Sequence, residues 1–188
     1  MYYHASQTEN INVLEPRVSN HNIPLIYFST KRENVLVYLS NAIEKYCNET
    51  GFEYKGNWKK WGSYGFEEDG TLRLEEYYPD AIKDTYKGVS GYIYYTDNIV
   101  NIQDNIQISN AVTTAENVKV DGCELIEDAY LEIMKAVDKG LIRIQKYEDM
   151  NDKKIAWIED IIKKEYEEAG EHPEYRHFLK GKFGFVGR

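Results

Sequence analysis

The sequence predicts a single α+β domain: a mixed or antiparallel sheet core with helices outside it and a helical C-terminal third. Three observations carry that prediction. Residues 1–6 and 24–30 are short runs of aromatic and β-branched residues, and residues 91–96, with Tyr92, Ile93, Tyr94 and Tyr95, form the strongest strand pattern of the chain. From Cys123 onward the apolar period changes to that of amphipathic helices. A chain of 188 residues suits one domain with a real core. Residues 1–122 read as a sheet-rich part, and residues 123–188 as a helix–strand–helix extension packed on it.

In the first strand His4 and Ser6 share one face and Tyr3 and Ala5 the other, because successive side chains alternate. In residues 24–30, Tyr27 and Ser29 share a face opposite Ile26, Phe28 and Thr30. Polar faces on two strands near the start of a compact domain need partners, or they line a cleft. Between the strands Ile11, Val13 and Leu14 suit a short edge segment, and Pro16 and residues 19–22 read as loop. Val35, Leu36, Leu39, Ile43 and Tyr46 then predict one continuous helix. Ser29 or Thr30 caps it, Glu33 stands in the capping-box position, and residues 48–51 end it.

Residues 52–55 and 72–78 read as extended segments, with residues 67–70 turning into the second of them. Trp58 and Trp61 pack over the core or cover a pocket mouth. Pro79 takes the first position of a helix that ends at Gly88. Residues 107–114 and 117–120 read as further strands. Leu125, Ile126, Ala129, Tyr130 and Ile133 mark a helix opening near Cys123 and closing at Gly140. Residues 141–147 alternate like a strand, and Asp152 caps a long helix stopping before Gly170. The tail carries Tyr175, Phe178, Leu179 and Phe183, enough apolar surface to dock onto the body.

A formal net charge of -9 disfavours a large nucleic acid as partner, though it leaves room for one phosphorylated small molecule. The 17 tyrosines suit half-buried sheet surfaces. Cys47 and Cys123, with no CxxC spacing, read as free thiols, buried or half-buried, in a reducing cytoplasm. No apolar run reaches the roughly 18 residues that span a bilayer, and the start turns polar too soon for a signal peptide. His172 and His177 lack metal-ligand spacing, so no metal is expected. Glu75 and Glu76, adjacent on a strand, face opposite ways and form no acid pair by themselves. There is no GxGxxG and no P-loop.

The first strand with His4 and Ser6, then residues 13–17, then residues 25–30 running into a helix, resemble the amino-terminal half of the ADP-ribosyltransferase-like fold family. The resemblance covers residues 1–48 and is weak beyond them. It implies that NAD is bound as substrate: His4 binds its ribose, backbone neighbours hold the nicotinamide amide, and Tyr27 stacks on the nicotinamide ring. Ser6 and Ser29 complete the cleft. The third position of the pattern, a Glu in the family, falls on Gln107, with Glu116 as a fallback. A neutral Gln cannot stabilise the positive charge that develops as the nicotinamide bond breaks. Two readings follow, an ADP-ribose-transferring enzyme or an inactive binding domain of the same fold. Related RNA 2'-phosphotransferases work without that Glu and rely on arginines, for which Arg17, Arg32 and Arg73 are available.

Overall fold

A computed structural model describes residues 1–18, 23–56, 61–103 and 108–187. The chain is a single mixed α+β domain. Its first part holds β1 (Tyr2–Ser6), β2 (Val13–Leu14), β3 (Arg17–Val18) and β4 (Pro24–Ser29), then a 3-10 helix (Arg32–Tyr38) and α1 (Ala42–Thr50). β5 (Ser63–Phe66), β6 (Leu72–Glu75), α2 (Ala81–Tyr86) and β7 (Gly91–Thr96) follow. Then come β8 (Ala111–Thr114), β9 (Val118–Lys119), β10 (Gly122–Ile126), α3 (Ala129–Asp138), β11 (Ile142–Gln145), α4 (Asp152–Glu168) and α5 (Pro173–Lys182).

The six-stranded sheet runs β10-β7-β1-β4-β3, with β8 also paired to β4. β11, β6 and β5 form a smaller sheet, in which β11 runs parallel to β6; β2 pairs with β9. β7, the strongest strand pattern, lies between β10 and β1 and pairs with β1 from Tyr2↔Thr96 to Ser6↔Tyr92. Gly91 ends that contact closely: a Cβ there would sit 3.0 Å from the Ser6 carbonyl oxygen.

One face of the large sheet carries Ala5 and Ile93 into a core shared with Leu36, Leu74, Tyr86 and Ile133. On the other face Leu14, Ile26, Phe28 and Val118 form a smaller cluster that includes Tyr2. A third cluster gathers α1, α4 and α5 around Cys47, Ile162, Phe178 and Leu179, with Trp61 packed against it. The docked tail is therefore a helix, and Trp61 covers core. Trp58 lies outside the described residues, as do residues 19–22.

Several local expectations change. The helix predicted after Thr30 is split, because Leu39 leaves helical space at ψ 57 and the Asn41 N–H bonds the Thr85 carbonyl at 3.4 Å. Neither Ser29 nor Thr30 caps it: Lys31 is the boundary residue, and the Ser29 hydroxyl accepts from the Lys31 N–H at 3.1 Å. The predicted stop at Gly51 stands, in left-handed conformation at φ 68. Pro79 precedes α2 without opening it, since Asp80 intervenes at φ 60. Residues 52–55 form no strand; Phe52 and Tyr54 pack on the third cluster instead. Residues 122–126 are the edge strand β10, and the α3 cap is Asp128, which accepts from the Leu131 N–H. The apolar spacing ran on across the strand–helix junction, which hid the boundary. Cys123 is exposed on that edge strand, while Cys47 is buried. Asn151, one residue before Asp152, caps α4. No helix among the described residues is long and apolar enough to cross a membrane.

His177 of α5 stacks on Phe52 at 4.1 Å, 9° from parallel. The Thr50 hydroxyl donates its one hydrogen to the Tyr46 carbonyl at 2.7 Å, so it accepts from His177 Nε2–H at 2.7 Å. Burial holds the imidazole below its usual range of titration. A base depressed in the native state stabilises the fold only above the unfolded pKa, near 6.5. Stability attributable to His177 should therefore fall as pH drops through about 6.5. Melting of wild type and His177→Phe between pH 7.5 and 5.5 checks this: the two curves should converge or cross toward acid, and a constant offset refutes it.

Candidate functional site

The large sheet opens between its third and fourth strands. β1 and β4 share only the pair Tyr3↔Ser29, whereas β1 pairs with β7 along all five of its residues. Directly opposed residues of an antiparallel pair share a face. Tyr3, Ala5, Tyr27 and Ser29 therefore belong to the side of the first core, and His4 and Ser6 to the side of Ile26 and Phe28. The two polar strand faces predicted as one lining lie on opposite sides of the sheet. They meet through the opened seam.

A cavity of about 500 Å³ occupies that seam, within the size range of small-molecule sites. His4, Ser6 and Tyr27 line it together with Tyr38, Tyr64 and Arg17. The His4 side chain spans the gap, with Nδ1 2.8 Å from the Tyr27 carbonyl oxygen. A carbonyl only accepts, so Nδ1 carries the hydrogen of that bond. The ring centroid also lies 5.8 Å from that of Phe28, the two planes tilted by 58°. Ser6 accepts from the Thr8 N–H at 3.1 Å, turning the chain after β1. Ser29 is buried opposite Tyr3 and lies off the lining.

Gln107 lies outside the described residues. Glu116 is exposed, accepts from Asn101 Nδ2 at 3.3 Å, and does not line the cavity. Glu15 is the one carboxylate on the lining among the described residues, and it is exposed.

No protein-family model, curated protein or solved structure matches this chain.

Tyr38 and Tyr64 face each other with hydroxyl oxygens 3.4 Å apart and rings at 79°. Burial first, and the neighbouring Tyr64 second, push the Tyr38 phenol well above its ordinary range, so it is protonated at neutral pH and able to donate. Tyr94 stands opposite His4 on β7, fully buried, and its hydroxyl donates to the Thr8 carbonyl at 2.8 Å and accepts from the Ile11 N–H at 3.3 Å. It thereby fixes two residues of the cavity wall. Sequence reasoning missed Tyr38, Tyr64 and Tyr94 as site residues; the excess of tyrosine was the only signal, and it does not say which rings converge. Among the described residues no group of three His, Cys, Asp or Glu is placed to hold a metal. The wall thus offers planar rings, an oriented imidazole and, among the described residues, the cation of Arg17, which suits a ligand with a flat ring and polar substituents.

Proposed function

We propose that the opened seam binds NAD or another ADP-ribose-containing nucleotide, in a domain of the ADP-ribosyltransferase-like type, and can pass the ADP-ribose on. The observation that supports this most is the His4 ring, oriented by the Tyr27 carbonyl at 2.8 Å on the wall of a cavity whose other side is aromatic. In this reading His4 hydrogen-bonds a ribose hydroxyl and Tyr27 meets the nicotinamide ring. In transfer, the bond from the ribose anomeric carbon to nicotinamide breaks and nicotinamide leaves with the electron pair. The acceptor's oxygen or nitrogen bonds to that carbon and gives up its proton; water as acceptor yields ADP-ribose.

A second reading, a binding domain without turnover, draws support from the lining itself. Positive charge developing on the ribose calls for a nearby anion; the family's Glu falls on the neutral Gln107, and the one lining carboxylate among the described residues, Glu15, is exposed to solvent.

NAD at about 100 times its dissociation constant should stabilise the native state by roughly 2.7 kcal/mol. In a domain of this size that raises the melting temperature by about 5–10 °C. His4→Ala and Tyr27→Ala, checked for folding by circular dichroism, should lose the shift. Nicotinamide release from the bound complex then separates the two readings. No shift of the wild type at millimolar NAD would remove the binding proposal altogether.

A further inference from the structure

Glu75 and Glu76 follow one another at the end of β6, and their charges meet different surroundings. Glu75 is answered by two cations, Arg73 at 2.6 Å and Lys154 at 3.2 Å. Glu76 is equally buried, 7% exposed, yet no ion pair among the described residues includes it. Its N–H bonds the Gln145 carbonyl at 3.0 Å, which carries the parallel β6–β11 pairing one residue further. By alternation its side chain shares the face of Leu72 and Leu74, the face turned to the first core. One carboxylate oxygen accepts from the Ile82 N–H at 3.3 Å. Buried charges are ordinarily met by an opposite charge. Among the described residues Glu76 has none.

Glu76 lines a second cavity, of about 240 Å³, which shares no lining residue with the seam. This cavity lies at the carboxyl ends of the two parallel strands, where ligands of parallel sheets commonly bind. Ile82, Tyr130 and Ile144 of the first core, with Met134, give it an apolar wall. We propose that it binds an organic ammonium ion, with the charge on Glu76 and the apolar body against Tyr130, Met134 and Ile144. An ammonium group donates charge-assisted hydrogen bonds to a carboxylate, and an aromatic ring in the wall also favours a cation. An organic ion fits better than a metal. Among the described residues no group of three His, Cys, Asp or Glu is placed to hold one, and much of the wall is apolar. Burial pushes the Glu76 carboxyl up, the Ile82 and Tyr147 N–H groups pull it down, and Glu148 and Asp80 push it up again. A bound ammonium offsets all of the upward causes at once. Lys83 and Lys146 also line the cavity, but both are exposed to water and neither is ion-paired with Glu76. The site stands apart from the nucleotide reading, and either can hold without the other.

Three probes separate the charge from the body: isopentylamine carries both, isopentanol the body alone and ammonium chloride the charge alone. Each is titrated into the full chain at neutral pH. Binding is read from the NMR shifts of the Ile82 and Tyr147 amides, which bond Glu76. Isopentylamine should bind with about millimolar affinity, the range for a ligand of so few atoms, and about 10-fold tighter than either other probe. Glu76→Gln keeps an oxygen for the Ile82 N–H and removes the charge. It should weaken isopentylamine by about 10-fold, the effect of one hydrogen-bonded charge, and leave the weak response to isopentanol unchanged. Equal affinity for isopentylamine and isopentanol overturns the proposal, since the carboxylate then plays no part. Equal affinity for isopentylamine and ammonium chloride overturns it too, since the apolar wall is then idle. Unchanged binding of isopentylamine by Glu76→Gln does the same. Should that variant fail to fold, Glu148→Gln, at an exposed position, should weaken isopentylamine a few-fold, and no weakening counts against the site. If isopentylamine moves neither amide of the wild type, the cavity is no amine site.

Discussion

Phe178→Ala should lower the free energy of unfolding by roughly 3–5 kcal/mol, the range for deleting a fully buried aromatic ring. Domains of this kind are stable by only about 5–15 kcal/mol, so the variant should be marginal at 37 °C. Phe178 has no exposed surface and sits where α5 meets α1. Its ring lies 5.4 Å from Trp61 and 5.9 Å, edge-on, from Tyr46, so truncation removes two aromatic contacts as well as apolar area. The surrounding cluster spans three helices and cannot collapse onto the space without moving one of them. Urea unfolding should show the midpoint falling by roughly 1–3 M, with a smaller fall for Phe178→Leu. The cavity at the β1–β4 seam belongs to the other two clusters. Ligand affinity measured at low temperature, where the variant is folded, should therefore match wild type. A midpoint within 0.3 M of wild type, on the order of measurement error, would show that the helices repack freely and that this cluster is not a tight core.

The order of strands and helices was legible wherever one period dominates. β7 alternates with apolar and tyrosine residues and has glycine at its start, and α3 and α4 show clear helical spacing. Legibility failed at junctions. Leu125 and Ile126 lie in helical register with Ala129 and Ile133, yet they belong to an edge strand, because pairing with β7 is non-local and leaves no mark on a local period. The break at Leu39 depends in the same way on a carbonyl contributed by Thr85 from a distant element. The site was legible in part. His4, Ser6 and Tyr27 line the cavity, as their residue types suggested. Alternation within a strand states which residues share its face, but only the register Tyr3↔Ser29 states which faces of two strands coincide. That register puts Tyr27 across the sheet from His4 and removes Ser29 from the lining. Tyr38, Tyr64 and Arg17 arrive from three further elements, and no spacing links them.

The second large effect has the opposite sign. Glu174→Leu should raise stability by about 1–4 kcal/mol, as replacement of buried charge by apolar volume does elsewhere. Glu174 lies in the first turn of α5 with no exposed surface, and neither carboxylate oxygen has a hydrogen-bond partner among the described residues. The positive end of the helix favours an anion there by about 0.3–1 kcal/mol, well short of what an unpartnered buried carboxylate costs. Its surroundings add little relief. Cys47 is buried beside it, and burial, with Glu44 and Glu174 as lesser causes, pushes the Tyr54 phenol up to about 12. The phenol therefore stays protonated, but its hydroxyl has no hydrogen-bond partner among the described residues and does not answer the charge of Glu174. Glu174→Gln should gain less than Glu174→Leu, because it removes the charge and keeps two polar atoms to satisfy. The ordering of urea midpoints, Leu above Gln above wild type, is the result to look for. If both variants fall below wild type, the carboxylate contributes more to starting α5 than its burial costs. The helix dipole would then be the stronger term at this site.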